Sequence, residues 1–273
     1  MYGPYLYSVF GSPIIHSRSP EIHRAFAHQT EQDLIYTKQE VRPEEFEQSC
    51  NEFFELGGSG LNITLPLKEL AFNYVDILSD RAKLAGAVNT IKLESEGKLF
   101  GDNTDGHGLV TDMIKNLRWQ IEGRRILIFG AGGAVRGVLG PLLEQKPHCI
   151  YIANRTEAKA VVLADQFKGL GNIFAVNISA IPHDIFDLII NGTSMSLQGE
   201  VPAITKDQIT AQTCCYDMAY SRKPTAFLNW ATTQGLTNVA DGVGMLVEQA
   251  AESFRIWRGV KPNTQEIIKA LKE

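Results

Sequence analysis

Short apolar runs alternate along this chain with longer stretches of mixed polarity, and the alternation sets out its elements. Leu6 to Phe10, Leu34 to Val41 and Gly60 to Thr64 predict strands, with helices opening at Pro20 and Pro43 between them. Ala87 to Leu93 and Lys98 to Gly101 predict two further strands, joined by a turn at Glu96-Gly97. Such a series implies an α/β layer on a largely parallel sheet. A helix from Thr104 to about Leu117 leads into a second series: a strand at Ile126 to Phe129, a glycine turn, a helix to about Gln145, a strand at Cys149 to Ala153 and a helix through Phe167. Strands at Ile173 to Val176, Phe186 to Asn191, Thr213 to Asp217 and Asn238 to Ala240 complete a doubly wound domain. Gly244 to Trp257 and Thr264 to Leu271 predict closing helices, whose Met245, Ala250, Ala251, Phe254 and Trp257 need a surface to cover. The expected architecture is α/β with an N-terminal domain over residues 1–104, a doubly wound, Rossmann-like domain over 105–242, and helices over 243–273 that pack back on the first domain.

The glycine turn carries the first chemistry. Gly130, Ala131, Gly132, Gly133 and Ala134 follow an apolar strand, so the backbone can turn tightly and bring the free N–H groups of the next helix to a pyrophosphate. The strict G-x-G-x-x-G pattern would place its third glycine where Val135 stands, and a glycine-rich turn that binds nothing is the structural alternative. About 20 residues further on, an NAD-binding fold carries an acid for the ribose 2′-hydroxyl. Here the second strand ends instead in Asn154, Arg155 and Thr156, with Lys159 one turn into a helix that Thr156 could cap. Two cations at the place of a 2′-phosphate point to NADP, because helix N-termini disfavour cations unless an anion is present.

Composition narrows the setting. At 273 residues the chain can hold two domains, and a net charge of −5 with interspersed acids and bases leaves no footprint for nucleic acid or an anionic membrane. The start lacks a basic leader and a long apolar segment, and no run approaches a bilayer span, so a cytoplasmic protein is expected. Cys50, Cys149, Cys214 and Cys215 show no metal spacing and are expected as reduced thiols; His23 and His28 fall on different helix faces, so no metal is expected.

A nicotinamide needs a partner group that moves the proton accompanying hydride transfer. Lys68 is the candidate, since Gly60 to Pro66 should end a strand and leave Thr64 and Lys68 at its mouth; a solvated lysine beside Glu69 is the alternative. Asp105, in Gly101-Asp102-Asn103-Thr104-Asp105-Gly106, could pair with Lys68, or the segment could be an ordinary capping turn. Ser17 and Ser19, just before a helix, could grip a carboxylate, or serve only as a serine cap with proline in the first turn.

Together these clusters resemble the shikimate dehydrogenase family nearly end to end. The family's serine-x-serine-proline segment is matched by Ser17 to Pro20, its Asn-x-Thr-x-Pro-x-Lys run by Asn62 to Lys68, and its Gly-Ala-x-Asn-Thr by Gly86 to Thr90. Asn103 to Gly106, Gly130 to Ala134, Asn154 to Thr156 and Gly244 to Gln249 follow in family order. The resemblance implies a substrate domain in the first part of the chain, Lys68 as the acid/base residue and Asp105 as its partner. It further implies Ser17 and Ser19 on the substrate carboxylate with Tyr220 near it, and Thr64, Asn89, Asp105 and Gln249 on the ring hydroxyls. NADP would rest on Gly130 to Ala134, Asn154, Arg155, Thr156, Lys159, Met218 and Gly242. Asp80 matches an acidic family position near the site and joins the cofactor set, with a helix N-cap as its other reading.

Three departures stand out: Leu67 for a frequent aromatic, Lys159 for a frequent arginine, and Asn191-Gly192-Thr193-Ser194-Met195-Ser196 for Asn-Ala-Thr-Ser-x-Gly. None removes a reacting group. The implied activity is reversible NADP-linked reduction of 3-dehydroshikimate to shikimate, towards aromatic amino acids, with two hydroxyl donors at the carboxylate favouring shikimate over the bulkier quinate. A quinate-acting paralogue and a non-catalytic NADP-binding sensor are the alternatives; monomer and homodimer both stay open.

Overall fold

The computed structural model describes residues 3–221 and 223–273, which form two compact units. The first runs through Gly108 and resumes at Leu246–Leu271; the second is Leu109–Met245.

In the first unit, β1 (Tyr5–Gly11), α1 (Ser19–Gln29), β2 (Leu34–Glu40), α2 (Phe46–Glu55) and β3 (Gly58–Ile63) follow the predicted alternation. Then come α3 (Lys68–Tyr74), β4 (Ile77–Leu78), α4 (Asp80–Ala85), β5 (Thr90–Leu93), β6 (Leu99–Asp102) and α5 (Asp105–Thr111), which continues as a π-helical turn over Asp112–Asn116. The sheet order is β2-β1-β3-β5-β6-β4. It is parallel except for β5, which runs antiparallel to both β3 and β6, because the tight turn at Gly97 (φ 77°) returns the chain as a hairpin. β5 is also shorter than predicted: it starts at Thr90, not Ala87, since the Ala87 and Asn89 amides bond across to Ala82 and Asp102 carbonyls outside a β ladder.

The second unit holds β7 (Arg125–Phe129), α6 (Gly133–Glu144), β8 (Cys149–Asn154), α7 (Glu157–Phe167), β9 (Ile173–Asn177), β10 (Leu188–Asn191), β11 (Cys214–Asp217), α8 (Ala226–Thr233) and β12 (Val239–Ala240). All pairings are parallel, in the order β12-β11-β10-β7-β8-β9, the doubly wound arrangement with its switch point between β7 and β10. Ile126 to Phe129 are fully buried, as a central strand covered on both faces requires.

The closing helices are α9 (Val243–Arg258) and α10 (Gln265–Lys272). Val247, Ala250, Ala251 and Phe254 form a stripe of helical spacing on α9 that packs on Ile22, Phe26 and Ala27 of α1, covering the first unit as predicted. Trp257 stacks on Tyr7 at 4.5 Å and donates Nε1–H to the Ile91 carbonyl at 2.9 Å. A side chain at Gly60 would lie 2.6 Å from that indole nitrogen, which is why glycine stands there. Among the described residues no helix is long and apolar enough to cross a membrane.

Candidate active site

The site in the first unit is built at the carboxyl ends of β1, β3 and β6. Thr64 N donates to the Phe10 carbonyl at 2.9 Å and Ser12 N to the Leu65 carbonyl at 3.1 Å, so the loops leaving β1 and β3 start side by side. Leu67, fully buried, anchors the start of α3 and leaves Lys68 as its first residue; the Lys68 carbonyl accepts from Val88 N at 2.9 Å, tying it to the segment just before β5 that carries Asn89.

Lys68 Nζ donates to Asp105 Oδ2 at 2.5 Å, with side chains 20% and 11% exposed. The other carboxylate oxygen accepts from Asn89 Nδ2 at 2.8 Å, and the same amide lies 3.3 Å from Gln249 Oε1. The cation is thus held at one face of a carboxylate whose opposite oxygen is fixed by a buried amide, and its remaining N–H groups have no partner among the described residues. Ser17 and Ser19 lie on the loop and first helical residue after β1, Ser19 N donating to Ser17 Oγ at 3.3 Å. The predicted residues therefore divide: Lys68, Asp105, Asn89 and Gln249 are one hydrogen-bonded cluster, whereas Ser17, Thr64 and, at the start of α1, Ser19 have no bond to it among the described residues.

Sequence reading passed over the groups behind this cluster. Asn89 Oδ1 accepts from Thr104 N at 2.9 Å and from Thr90 Oγ1 at 2.8 Å, while Ser253 Oγ meets Thr90 Oγ1 at 2.7 Å and accepts from Asn62 Nδ2 at 3.1 Å. Ser253 lies one turn after Gln249 on α9, and that spacing is the one sequence signal that could have found it.

Two capping expectations need correction. Asp80 is not an N-cap: Ser79 is, its hydroxyl accepting from Ala82 N at 3.0 Å, and the exposed Asp80 carboxylate pairs with Lys83 at 3.2 Å. Thr156 stands at the N-cap of α7, but its hydroxyl makes no capping bond; its carbonyl accepts from Asn154 Nδ2 at 2.8 Å.

In the second unit the loops at the carboxyl ends of β7, β10, β11 and β12 form one contiguous edge. Gly130 has φ 104°, and a Cβ there would lie 3.2 Å from the Gly192 carbonyl. At the exposed Gly132 and Gly133 a Cβ would meet nothing within 4 Å, so the start of α6 opens on free space. Val135, in the place of the third glycine, is fully buried; a Cβ at Gly192 would come within 2.4 Å of it. The close packing that the third glycine normally gives is supplied here from the opposite loop, by a glycine where alanine is usual. Met218 N donates to the Asn191 carbonyl at 2.9 Å, and a Cβ on Gly242 would clash with the Met218 carbonyl at 2.2 Å. Asp217, fully buried, accepts from Thr225 Oγ1 at 2.6 Å and Ala219 N at 3.1 Å and so closes the loop carrying Met218 and the half-exposed Tyr220; burial raises its carboxyl above the ordinary range. Arg155 and Lys159 are exposed and form no ion pair among the described residues. A helix terminus with open space beside it, and exposed cations just after the neighbouring strand, are features of the kind that phosphate groups bind.

Known proteins match this arrangement. The family model "Shikimate dehydrogenase substrate binding domain" matches residues 9–91, "Shikimate / quinate 5-dehydrogenase" residues 112–220, and "Shikimate 5'-dehydrogenase C-terminal domain" residues 242–272. The shikimate dehydrogenase (NADP(+)) of Cellvibrio japonicus is 53% identical over 98% of this chain and 96% of its own length. Among solved structures, the Ael1 enzyme of Pseudomonas putida superposes with a TM-score of 0.90 at 41% identity, covering 98% of each chain. The shikimate 5-dehydrogenase of Thermus thermophilus, in complex with NADP(H) and shikimate, gives 0.85 at 30% identity over 97% of this chain and 98% of that one. With three family models laid end to end and a relative more than half identical across nearly its whole length, this chain belongs to the shikimate dehydrogenase family.

Proposed function

We propose that this protein catalyses the reversible NADP-linked reduction of 3-dehydroshikimate to shikimate, a step towards aromatic amino acids. The observation that carries the reading is the contact of Lys68 with Asp105 at 2.5 Å, because a pure nucleotide sensor has no use for a paired proton donor. Bound NADPH supplies the hydride. Lys68 gives its proton to the oxygen of the ring carbonyl as that carbon is reduced, and takes one back from the alcohol in the reverse direction; Asp105 holds the ammonium in line. Asn89 and Gln249 offer amide groups to the ring hydroxyls, with Thr64 beside them, while Ser17 and Ser19 donate to the carboxylate; Tyr220 joins them on the resemblance alone.

On the cofactor side, Gly130 to Ala134 take the pyrophosphate, and Asn154, Arg155, Thr156 and Lys159 the 2′-phosphate, with Met218 and Gly242 on the nicotinamide side. Asp80 keeps its place in that set only through the resemblance, since its carboxylate is already paired with Lys83. The domain assignment follows with its boundary moved a few residues on: substrate on the first unit, which keeps Asp105 with Lys68, and cofactor on the second, Leu109–Met245. Four cysteines that form no disulfide support a cytoplasmic setting.

The test is an initial-rate assay of the purified protein with shikimate, quinate, NADP and NAD. Turnover of shikimate with NADP well above the other combinations is expected; NADP affinity without turnover would move the assignment to a binding protein. Arg155→Ala is expected to raise KM for NADP about tenfold to a hundredfold, the worth of a charge-assisted contact, and to leave KM for NAD nearly unchanged. Equal shifts with both cofactors would remove Arg155 from the 2′-phosphate site.

A further inference from the structure

Between α4, β6 and α9 lies a buried ionic cluster that no sequence motif marks. Arg81 donates Nη2 to Asp102 Oδ2 at 2.5 Å and Nε to Asp102 Oδ1 at 3.1 Å, a two-point fork, and the same Nη2 reaches Glu252 Oε1 at 3.1 Å. Asp102 and Glu252 are each 3% exposed. Asp102 Oδ1 further accepts from Ser79 Oγ at 2.5 Å and from Asn103 N at 2.7 Å. Glu252 also accepts from Arg255 Nε and Nη2, each at 2.8 Å, and has His107 Nε2 at 3.7 Å. Burial opposes its charge, but the Arg255 hydrogen bonds, with the charges of His107, Arg81 and Arg255, hold the carboxyl down at about 2.

Two routes lead from Asp102 to the reacting pair. Asn103, set by Asp102, accepts Asp105 N on its Oδ1 at 3.2 Å. The Asp102 carbonyl accepts Asn89 N at 3.0 Å, and the Asn89 side chain bonds Asp105. On the other side, Glu252 is three residues from Gln249 on α9, so the anchor that fixes one fixes the height and rotation of the other.

We propose that Arg81 is a positioning residue for the reaction: its guanidinium ties the end of β6 to α9 and so sets Asp105 and Gln249 in register. The inference rests on the reading of Lys68 and Asp105 as the proton-moving pair. A lysine could replace the charge but not the planar fork that holds Asp102 at both oxygens.

The experiment compares Arg81→Met, Asp102→Asn and the double variant. Arg81→Met leaves the buried Asp102 carboxylate without its cation, and Asp102→Asn leaves Arg81 with Glu252 alone, so each is expected to lower thermal stability, the first more; the double change removes the unpaired charge at Asp102 and should recover much of the loss. Turnover should not recover with it. In the double variant kcat is expected to stay about tenfold to a hundredfold below wild type, the usual consequence of a reacting group displaced by about an ångström, with the dissociation constant for NADP within twofold of wild type. Arg81→Lys should fall between wild type and Arg81→Met in kcat. Recovery of kcat together with stability in the double variant, or wild-type kcat in folded Arg81→Met, overturns the inference. Lys68→Ala in parallel separates the two readings: if that variant is inactive while the Arg81 variants turn over normally, only the positioning role fails.

Discussion

Lys68→Ala is expected to lower kcat by about two to four orders of magnitude in both directions, the range lost with a general acid/base. The fold should survive. The backbone of Lys68 keeps its bond from Val88 N whatever its side chain, and alanine suits the first residue of a helix. Asp105 also keeps the bonds from Asn89 Nδ2 and its own backbone link to Asn103, so the carboxylate is left oriented though without its cation. KM for shikimate should move much less than kcat, because the carboxylate and hydroxyl contacts lie on other residues, and the dissociation constant for NADP should not move. Lys68→Arg sharpens the result. It keeps a cation beside Asp105 but cannot give up a proton at working pH, so it should be as inactive as the alanine variant. Recovery of turnover in Lys68→Arg would mean that the residue supplies charge and not a proton, and an active Lys68→Ala would take away the acid/base role altogether.

What the sequence disclosed and what it withheld follow from the range over which each interaction acts. The Ile126 to Phe129 strand was legible because an unbroken apolar run stopped by glycine has few other readings, and the α9 stripe because its helical spacing is local. The reversal of β5 was not, since strand direction depends on a partner and not on composition. Helices α3, α4 and α8 are too short for a periodic pattern to rise above chance, although Asp80 reads as a position at a helix start. The shift from Asp80 to Ser79 as the cap is a single residue, since serine and aspartate are both favoured at that position and only the bond from Ala82 N distinguishes them. Of the site, Lys68 and Asp105 could be named as a pair because both stand at strand ends with the right chemistry. The polar network behind them could not, because Asn62 and Ser253, which meet at 3.1 Å, are 191 positions apart. The missing third glycine at Val135 shows the same limit: its compensation, Gly192, lies on another loop.

One buried group outside the reaction has a large effect of its own. The His23 ring is fully buried, stacked on Tyr36 at 4.2 Å with Trp257 at 5.3 Å, and neither of its nitrogens has a hydrogen-bond partner among the described residues. Burial lowers its pKa from 6.5 to about 3, opposed only by the nearby Asn62 side chain. The sign follows from proton counting. Between these values the unfolded chain binds a proton at this residue and the folded chain does not, so stability is full above pH 6.5 and falls as the pH drops towards 3, by up to about 1.4 kcal/mol per pH unit. Urea unfolding at pH 7, 6 and 5 should therefore show wild type losing stability faster than His23→Phe or His23→Leu, whatever the absolute stability of either variant at pH 7. Carboxylates elsewhere titrate alike in all three proteins and cancel in the difference. The His23 ring signal followed by NMR should stay that of a neutral imidazole down to pH 5. A ring that titrates near 6.5, or variants whose stability falls in parallel with wild type, would mean that the imidazole gains a proton within the fold, and the stack on Tyr36 would then have to open to admit water.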